Sequence, residues 1–127
     1  MKRSHAIFAV SVFLAIAAGA GISADAVAHG MWSGFSGNPE RGKEAIKRYG
    51  CGSCHVVPGI RDAHGRVGPK LEDFGEQIYV AGVLPNTPDN VVRWIMNPRD
   101  HSPRTAMPDL GVSKEDASDM AAYLLEK

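Results

Sequence analysis

At 127 residues the chain has room for one domain and an N-terminal segment, and for little else. Its 14 basic and 14 acidic residues give a formal net charge of zero, which excludes the basic stripe expected of a nucleic-acid-binding protein.

Lys2 and Arg3 precede a run of apolar and small residues from Ala6 to Ile22, and Ala26-Val27-Ala28 offers an A-x-A-like cleavage site. This is the composition of a secretory signal peptide over residues 1–28. The run sits at the short end of what can span a bilayer, so an uncleaved anchor is the alternative. Its Ala/Gly-rich end suits a cleaved signal better. With no cysteine in or just after the run, a lipidated N-terminus is not expected. Nor does the segment have the Arg-rich amphipathic character of a mitochondrial transit peptide, so bacterial export and a periplasmic location follow. Residues 29–127 would remain, roughly the size at which a single core is only marginally sufficient.

Residues 29–37 hold Gly and Ser around Trp32 and Phe35 with no period of either kind, and read as a flexible leader. After cleavage His29 would carry the free amine, a geometry that can bind copper, although one such residue does not make a site. The domain proper is expected to begin at residue 38. Asn38-Pro39-Glu40 is a helix start, with a capping side chain, proline at the first helical position and an acid in the first turn. Ala45, Ile46 and Tyr49 form an apolar stripe up to about Tyr49, with Gly42 one turn before Ile46; Arg41, Lys43, Glu44 and Lys47 face water. A glycine inside a helix costs roughly 1 kcal/mol against alanine, so Gly42 predicts close approach of another element.

Cys51-Gly52-Ser53-Cys54-His55 has the narrowest chemical meaning in the chain. C-x-x-C-H reads as a c-type haem attachment site. Two thiols one helical turn apart can each add across a vinyl group of one porphyrin, and the next residue supplies an imidazole to the iron. Zinc needs more ligands than this chain gathers, there being no third cysteine and only scattered histidines. A thioredoxin-like site wants a βαβ setting that the sequence downstream does not offer, and a plain structural disulfide is the remaining alternative.

Val56 to Phe74 is rich in Gly and Pro without helical period, and reads as loop. Leu71, Phe74, Ile78, Tyr79 and Val80 predict a short helical or irregular segment before Gly82. A second helix opens at Thr87-Pro88 and carries Val91, Val92, Trp94, Ile95 and Met96 to a stop at Pro98, apolar enough to be buried on more than one side. Arg93 on it is placed equally well toward a haem propionate or in solvent. Asn97 to Leu110, with three prolines, reads as a loop that wraps something, and Met107 stands in it between Ala106 and Pro108. Ser113-Lys114-Glu115-Asp116 resembles a capping box with the shorter Asp in place of Glu. The last helix carries Ala117, Met120, Ala121, Leu124 and Leu125 on one face, with Tyr123 beside them. The fold class is therefore all-α, with three main helices and long loops.

From Asn38 to Lys127 this arrangement resembles a class I c-type cytochrome, most strongly at Cys51 to His55, Gly68-Pro69-Lys70-Leu71 and Thr105-Ala106-Met107-Pro108. Leu84-Pro85-Asn86-Thr87-Pro88 and Trp94 are similar to the cytochrome c domain attached to subunit II of some haem-copper oxidases. The resemblance implies one haem c bound through Cys51 and Cys54, with His55 on the iron. It implies a backbone carbonyl of Pro69 accepting the other ring N–H of His55. It also implies that Gly42 lets the first helix cross the last one against Tyr123. Met107 is the implied sixth ligand, and its soft, neutral thioether favours ferrous iron. Met31 lies in the leader, Met96 and Met120 lie on apolar helical faces where packing is the usual role, and His64 and His101 are rival ligands in loops that do not match the family's position. The expected function is single-electron transfer, not enzymic catalysis. The expected partners are a terminal oxidase, a quinol-cytochrome c reductase or a periplasmic dehydrogenase. A monomer is expected, with membrane association only if the N-terminal segment stays attached. The similarity covers only the carrier part of those oxidase fusions, so a freestanding carrier or a small docking subunit follows.

Overall fold

The computed structural model describes residues 34–127; the signal segment, His29, Met31 and Trp32 lie outside the described residues. The first element, α1, spans Pro39–Arg48. Asn38 caps it by accepting the Arg41 N–H at 2.8 Å, Pro39 sits where no helical N–H is needed, and Lys47 and Arg48 lie at the negative end of the helix dipole. Its buried face is Gly42, Ala45 and Ile46. Gly50, at φ +71°, turns the chain out of the helix and into a single 3-10 turn at Cys51–Ser53.

A second 3-10 turn covers Phe74–Glu76. The segment after it was expected to be helical or irregular, and instead forms a small hairpin. Strand β1 (Tyr79–Val80) pairs antiparallel with β2 (Leu84–Pro85), Val80 facing Leu84. Ala81 and Gly82 both take positive φ, 51° and 72°, which is the backbone a tight hairpin turn demands. The alternation of exposed Tyr79 and buried Val80 is too short to register as a strand period in sequence.

Helix α2 spans Pro88–Met96, capped by Thr87, and buries Pro88, Val91, Val92, Trp94 and Ile95, so it is enclosed on more than one side as its composition implied. Pro98 starts another, four-residue helix, α3 (Pro98–His101), inside the stretch read as loop. Proline at a first helical position both ended α2 and began α3. The closing helix α4 spans Lys114–Leu125. Ser113 accepts the Asp116 N–H at 3.1 Å, as a capping box requires. The short Asp116 side chain does not return to the cap's backbone; it accepts instead from the hydroxyls of Ser113 (3.0 Å) and Tyr49 (2.9 Å) and from Arg48 (2.6 Å).

α1 crosses α4, and the crossing explains Gly42. A Cβ on Gly42 would lie 2.0 Å from the carbonyl oxygen of Asp119 and 2.9 Å from the Met120 nitrogen. The close approach predicted from sequence is therefore present, but the partner is Asp119 and Met120, one turn before the expected Tyr123. Asp119 is only 3% exposed. Its carboxylate accepts from Arg41 Nε at 2.7 Å, Arg41 Nη2 at 3.0 Å and the Asn38 N–H at 2.7 Å, so a residue of the last helix neutralises the start of the first. Burial pushes this carboxyl up, but the hydrogen bonds from Arg41 and Asn38 and the guanidinium charge outweigh it and hold the group below the usual carboxylate range. Phe35, from the expected leader, packs against the core. No helix of the described residues is long and apolar enough to cross a membrane.

Candidate cofactor site

Within the 3-10 turn the Cys54 and His55 N–H groups both donate to the Cys51 carbonyl, at 3.2 and 3.0 Å. This places two thiols one turn apart with the imidazole next to the second. Both cysteines are free and half-buried, so they form no disulfide. Burial pushes the Cys51 thiol above its ordinary range.

His55 Nδ1 lies 2.7 Å from the Pro69 carbonyl oxygen. A carbonyl can only accept, so Nδ1 carries the proton and the lone pair is left on Nε2. Gly68 backs the ring: a Cβ there would stand 2.2 Å from Cε1 of His55. The loop that supplies this support is tied to the attachment turn by Gly65 N–H to Gly52 O at 3.0 Å and Gly68 N–H to Cys54 O at 2.8 Å.

Cys51, Cys54, His55 and Met107 all line one cavity of about 570 Å³. Its walls are largely apolar, built from Ile46, Leu71, Phe74, Val80, Val91, Trp94, Ile95 and Leu124. Met107 is half-buried, its N–H donating to the Thr105 hydroxyl at 3.2 Å. The histidines weighed as rival ligands are elsewhere: His64 is exposed in a bridge with Val56, His101 ends α3, and neither lines the cavity. Arg93 is exposed and does not line it either. Met120, read from sequence as packing, is fully buried and also lines the wall, as does Trp94. Gly68 was legible only as part of a Gly-Pro pair; its service to the His55 ring had no signal in the sequence.

These residues fit a flat, apolar iron cofactor. The volume falls within the ordinary range for small-molecule sites. The wall offers one histidine whose free nitrogen is fixed by its other hydrogen bond, one thioether, and two thiols three positions apart. A small helical domain folded around such a turn and such a cavity is a c-type cytochrome.

The chain belongs to the cytochrome c family, whose profile, described as Cytochrome c, matches residues 39–127. Among curated proteins it is similar to cytochrome c oxidase subunit 2 of Alkalihalophilus pseudofirmus, 33% identical over 85 residues, which is 66% of this chain and 24% of that protein. It is also similar to the subunit 2 of Bacillus sp. strain PS3, 35% identical over 66 residues (50% and 18% of the two chains). That of Bacillus subtilis is 34% identical over 86 residues (66% and 24%). The chain thus matches about a quarter or less of the length of these relatives. No solved structure gives a significant match. Membership of the family makes this an electron-transfer haem protein.

Proposed function

We propose that this protein is an exported monohaem c-type cytochrome that passes single electrons between respiratory redox partners. In this reading Cys51 and Cys54 would hold the haem through thioethers, and His55 and Met107 would supply the donors to its iron. The observation that carries it is the gathering of these four side chains on the wall of one apolar cavity. Bound haem supplies a ferrous/ferric couple. The chain's own residues set the conditions for it. Pro69 holds the Nδ1 proton of His55, which fixes the tautomer, leaves the lone pair on Nε2 and raises its basicity. Met107 offers a neutral sulfur donor, which favours the reduced state. The apolar wall keeps water away, favouring the form of lower charge. Two donors retained from the chain would leave oxygen or peroxide no place to bind. Met107's neighbours on the wall, Ser102, Thr105, Ala106 and Pro108, carry no titratable group for acid-base work, so no bond-making activity is proposed. The basic start, apolar run and Ala26-Val27-Ala28 site support export to the periplasm, which would leave a leader of residues 29–37 ahead of a domain of residues 38–127.

An optical redox titration of the exported, haem-loaded protein tests this. The expected result is a reversible one-electron transition with a Met-sulfur-to-ferric-iron band. Five-coordinate iron in the reduced protein, or rapid carbon monoxide binding at neutral pH, would overturn it.

The similarity to cytochrome c oxidase subunit 2 favours a second reading. Here the same haem serves a fixed partner, docked in an oxidase or dehydrogenase complex and tethered by an uncleaved N-terminal segment. Mass spectrometry of the N-terminus with membrane fractionation separates the two. A chain starting at His29 in the soluble fraction rules out the tether.

A further inference from the structure

We propose that Tyr123, on the closing helix, is a positioning residue for His55: its hydroxyl fixes the loop whose far arm holds the histidine ring. The inference rests on the reading of His55 as an iron ligand and adds the means by which α4 governs it.

Tyr123 is 4% exposed, and its hydroxyl donates to the Pro58 carbonyl at 2.5 Å. The next residue, Gly59, has φ +74°, and a Cβ on it would stand 2.6 Å from the Tyr123 oxygen, so the chain passes directly against the hydroxyl. Pro58 lies in a compact turn closed by Ile60 N–H to Val57 O (3.3 Å), Ala63 N–H to Ile60 O (3.2 Å) and Val57 N–H to Ala63 O (3.4 Å). At its other side Ala63 presses on the attachment turn, where a Cβ on Gly52 would be 2.8 Å from the Ala63 Cα. The chain then runs back along that turn through the Gly65 to Gly52 and Gly68 to Cys54 bonds and reaches Pro69, whose carbonyl holds His55.

The remaining hydrogen bonds of residues 56–70 among the described residues are made within the segment, with the attachment turn, or to its neighbour Leu71. The segment and the turn thus brace one another, and Tyr123 supplies a hydrogen bond to the pair from the closing helix. Burial and then the Glu40 carboxylate push the phenol above its ordinary range, against a smaller opposing pull from Lys47, so the hydroxyl stays a donor. Removing it leaves a carbonyl in a half-buried site without its partner.

The test compares the haem-loaded wild type with Tyr123→Phe, which keeps the ring and loses the hydroxyl, and with Gly59→Ala, which pushes on the same contact from the loop. In Tyr123→Phe the Gly65 and Gly68 amides should exchange about tenfold faster, the ratio that loss of one such hydrogen bond implies, while amides in the middle of α4 keep their protection. The His55 Nδ1 proton resonance should shift, and the midpoint potential should rise because a loosened Pro69 carbonyl leaves the imidazole less basic. Gly59→Ala should move the same three readouts in the same direction, and stands in for Tyr123→Phe if that variant loads haem poorly. An unchanged potential and Nδ1 resonance, with exchange faster everywhere alike, would reduce Tyr123 to a packing residue and overturn the proposal. Absence of hyperfine shifts on His55 in the ferric wild type would instead remove the axial-ligand reading itself, whatever the variants show.

Discussion

In the proposed reading two side chains carry the chemistry at the scale of single residues, and each depends on a neighbour without chemistry of its own. His55 presents Nε2 only because Pro69 occupies Nδ1, and the ring has room only because residue 68 lacks a Cβ. Gly68→Ala would set a methyl 2.2 Å from the ring; the loop must shift, at a cost of about 1–3 kcal/mol for overpacking. The expected outcome is a weakened Nδ1 bond and a high-spin fraction in the optical spectrum of the loaded protein. Met107 stands in a loop ordered by its own N–H bond to Thr105. Met107→Ala should lower the midpoint potential by about 0.1 V or more, within the roughly 0.8 V that axial ligation spans, and should admit carbon monoxide. If neither changes, Met107 is not the ligand, and Met120 on the same wall becomes the next sulfur to test.

At the scale of elements, the crossing of α1 on α4 holds the cavity's frame. Gly42→Ala puts a methyl into the Asp119 carbonyl at 2.0 Å, a backbone contact that cannot yield as a side chain would. The loss of stability should be about 3 kcal/mol or more, read from the midpoint of denaturant unfolding at unchanged slope. The same crossing carries a pH dependence. Because the Asp119 carboxyl is held below its unfolded value, its contribution is complete above about pH 4 and is lost as pH falls through the folded value. Asp116, lowered by its bonds from Tyr49, Ser113 and Arg48, titrates in the same direction. Asp119→Asn should therefore be less stable than wild type by about 1–3 kcal/mol at neutral pH. The difference should shrink steadily below pH 4, as followed by unfolding curves at a series of pH values. A difference that stays constant down to pH 2 would show that the charge of Asp119 contributes nothing.

At the scale of the whole domain, the helices and the loops between them line a space of about 570 Å³. An apolar wall of this extent left to water forfeits burial that a domain this small needs for its marginal stability. Chain expressed without haem attachment should therefore lack this tertiary packing, giving a near-ultraviolet circular dichroism spectrum without sharp aromatic bands. A haem-free chain with native-like bands and cooperative unfolding would contradict that expectation.

Local chemistry was readable without coordinates wherever it is written in neighbouring residues. Asn38-Pro39, Thr87-Pro88 and Ser113 marked helix starts because a cap acts within three residues of itself. Cys51 to His55 declared its cofactor because both thiols and the imidazole must fit one turn. Gly42 announced a close crossing, since a helix rarely keeps a glycine without one. The hairpin at Tyr79–Pro85 escaped notice because two residues of strand carry no period, and α3 because four residues of helix carry none. What touches what across long separations was beyond the sequence: Asp119 on the start of α1, Tyr123 on Pro58, and Met120 and Trp94 on the cavity wall. Such contacts follow from how helices pack after they form, so the family and the candidate turn at Cys51 to His55 were legible in neighbouring residues, whereas the distant residues that hold that turn in place emerged only from the packing.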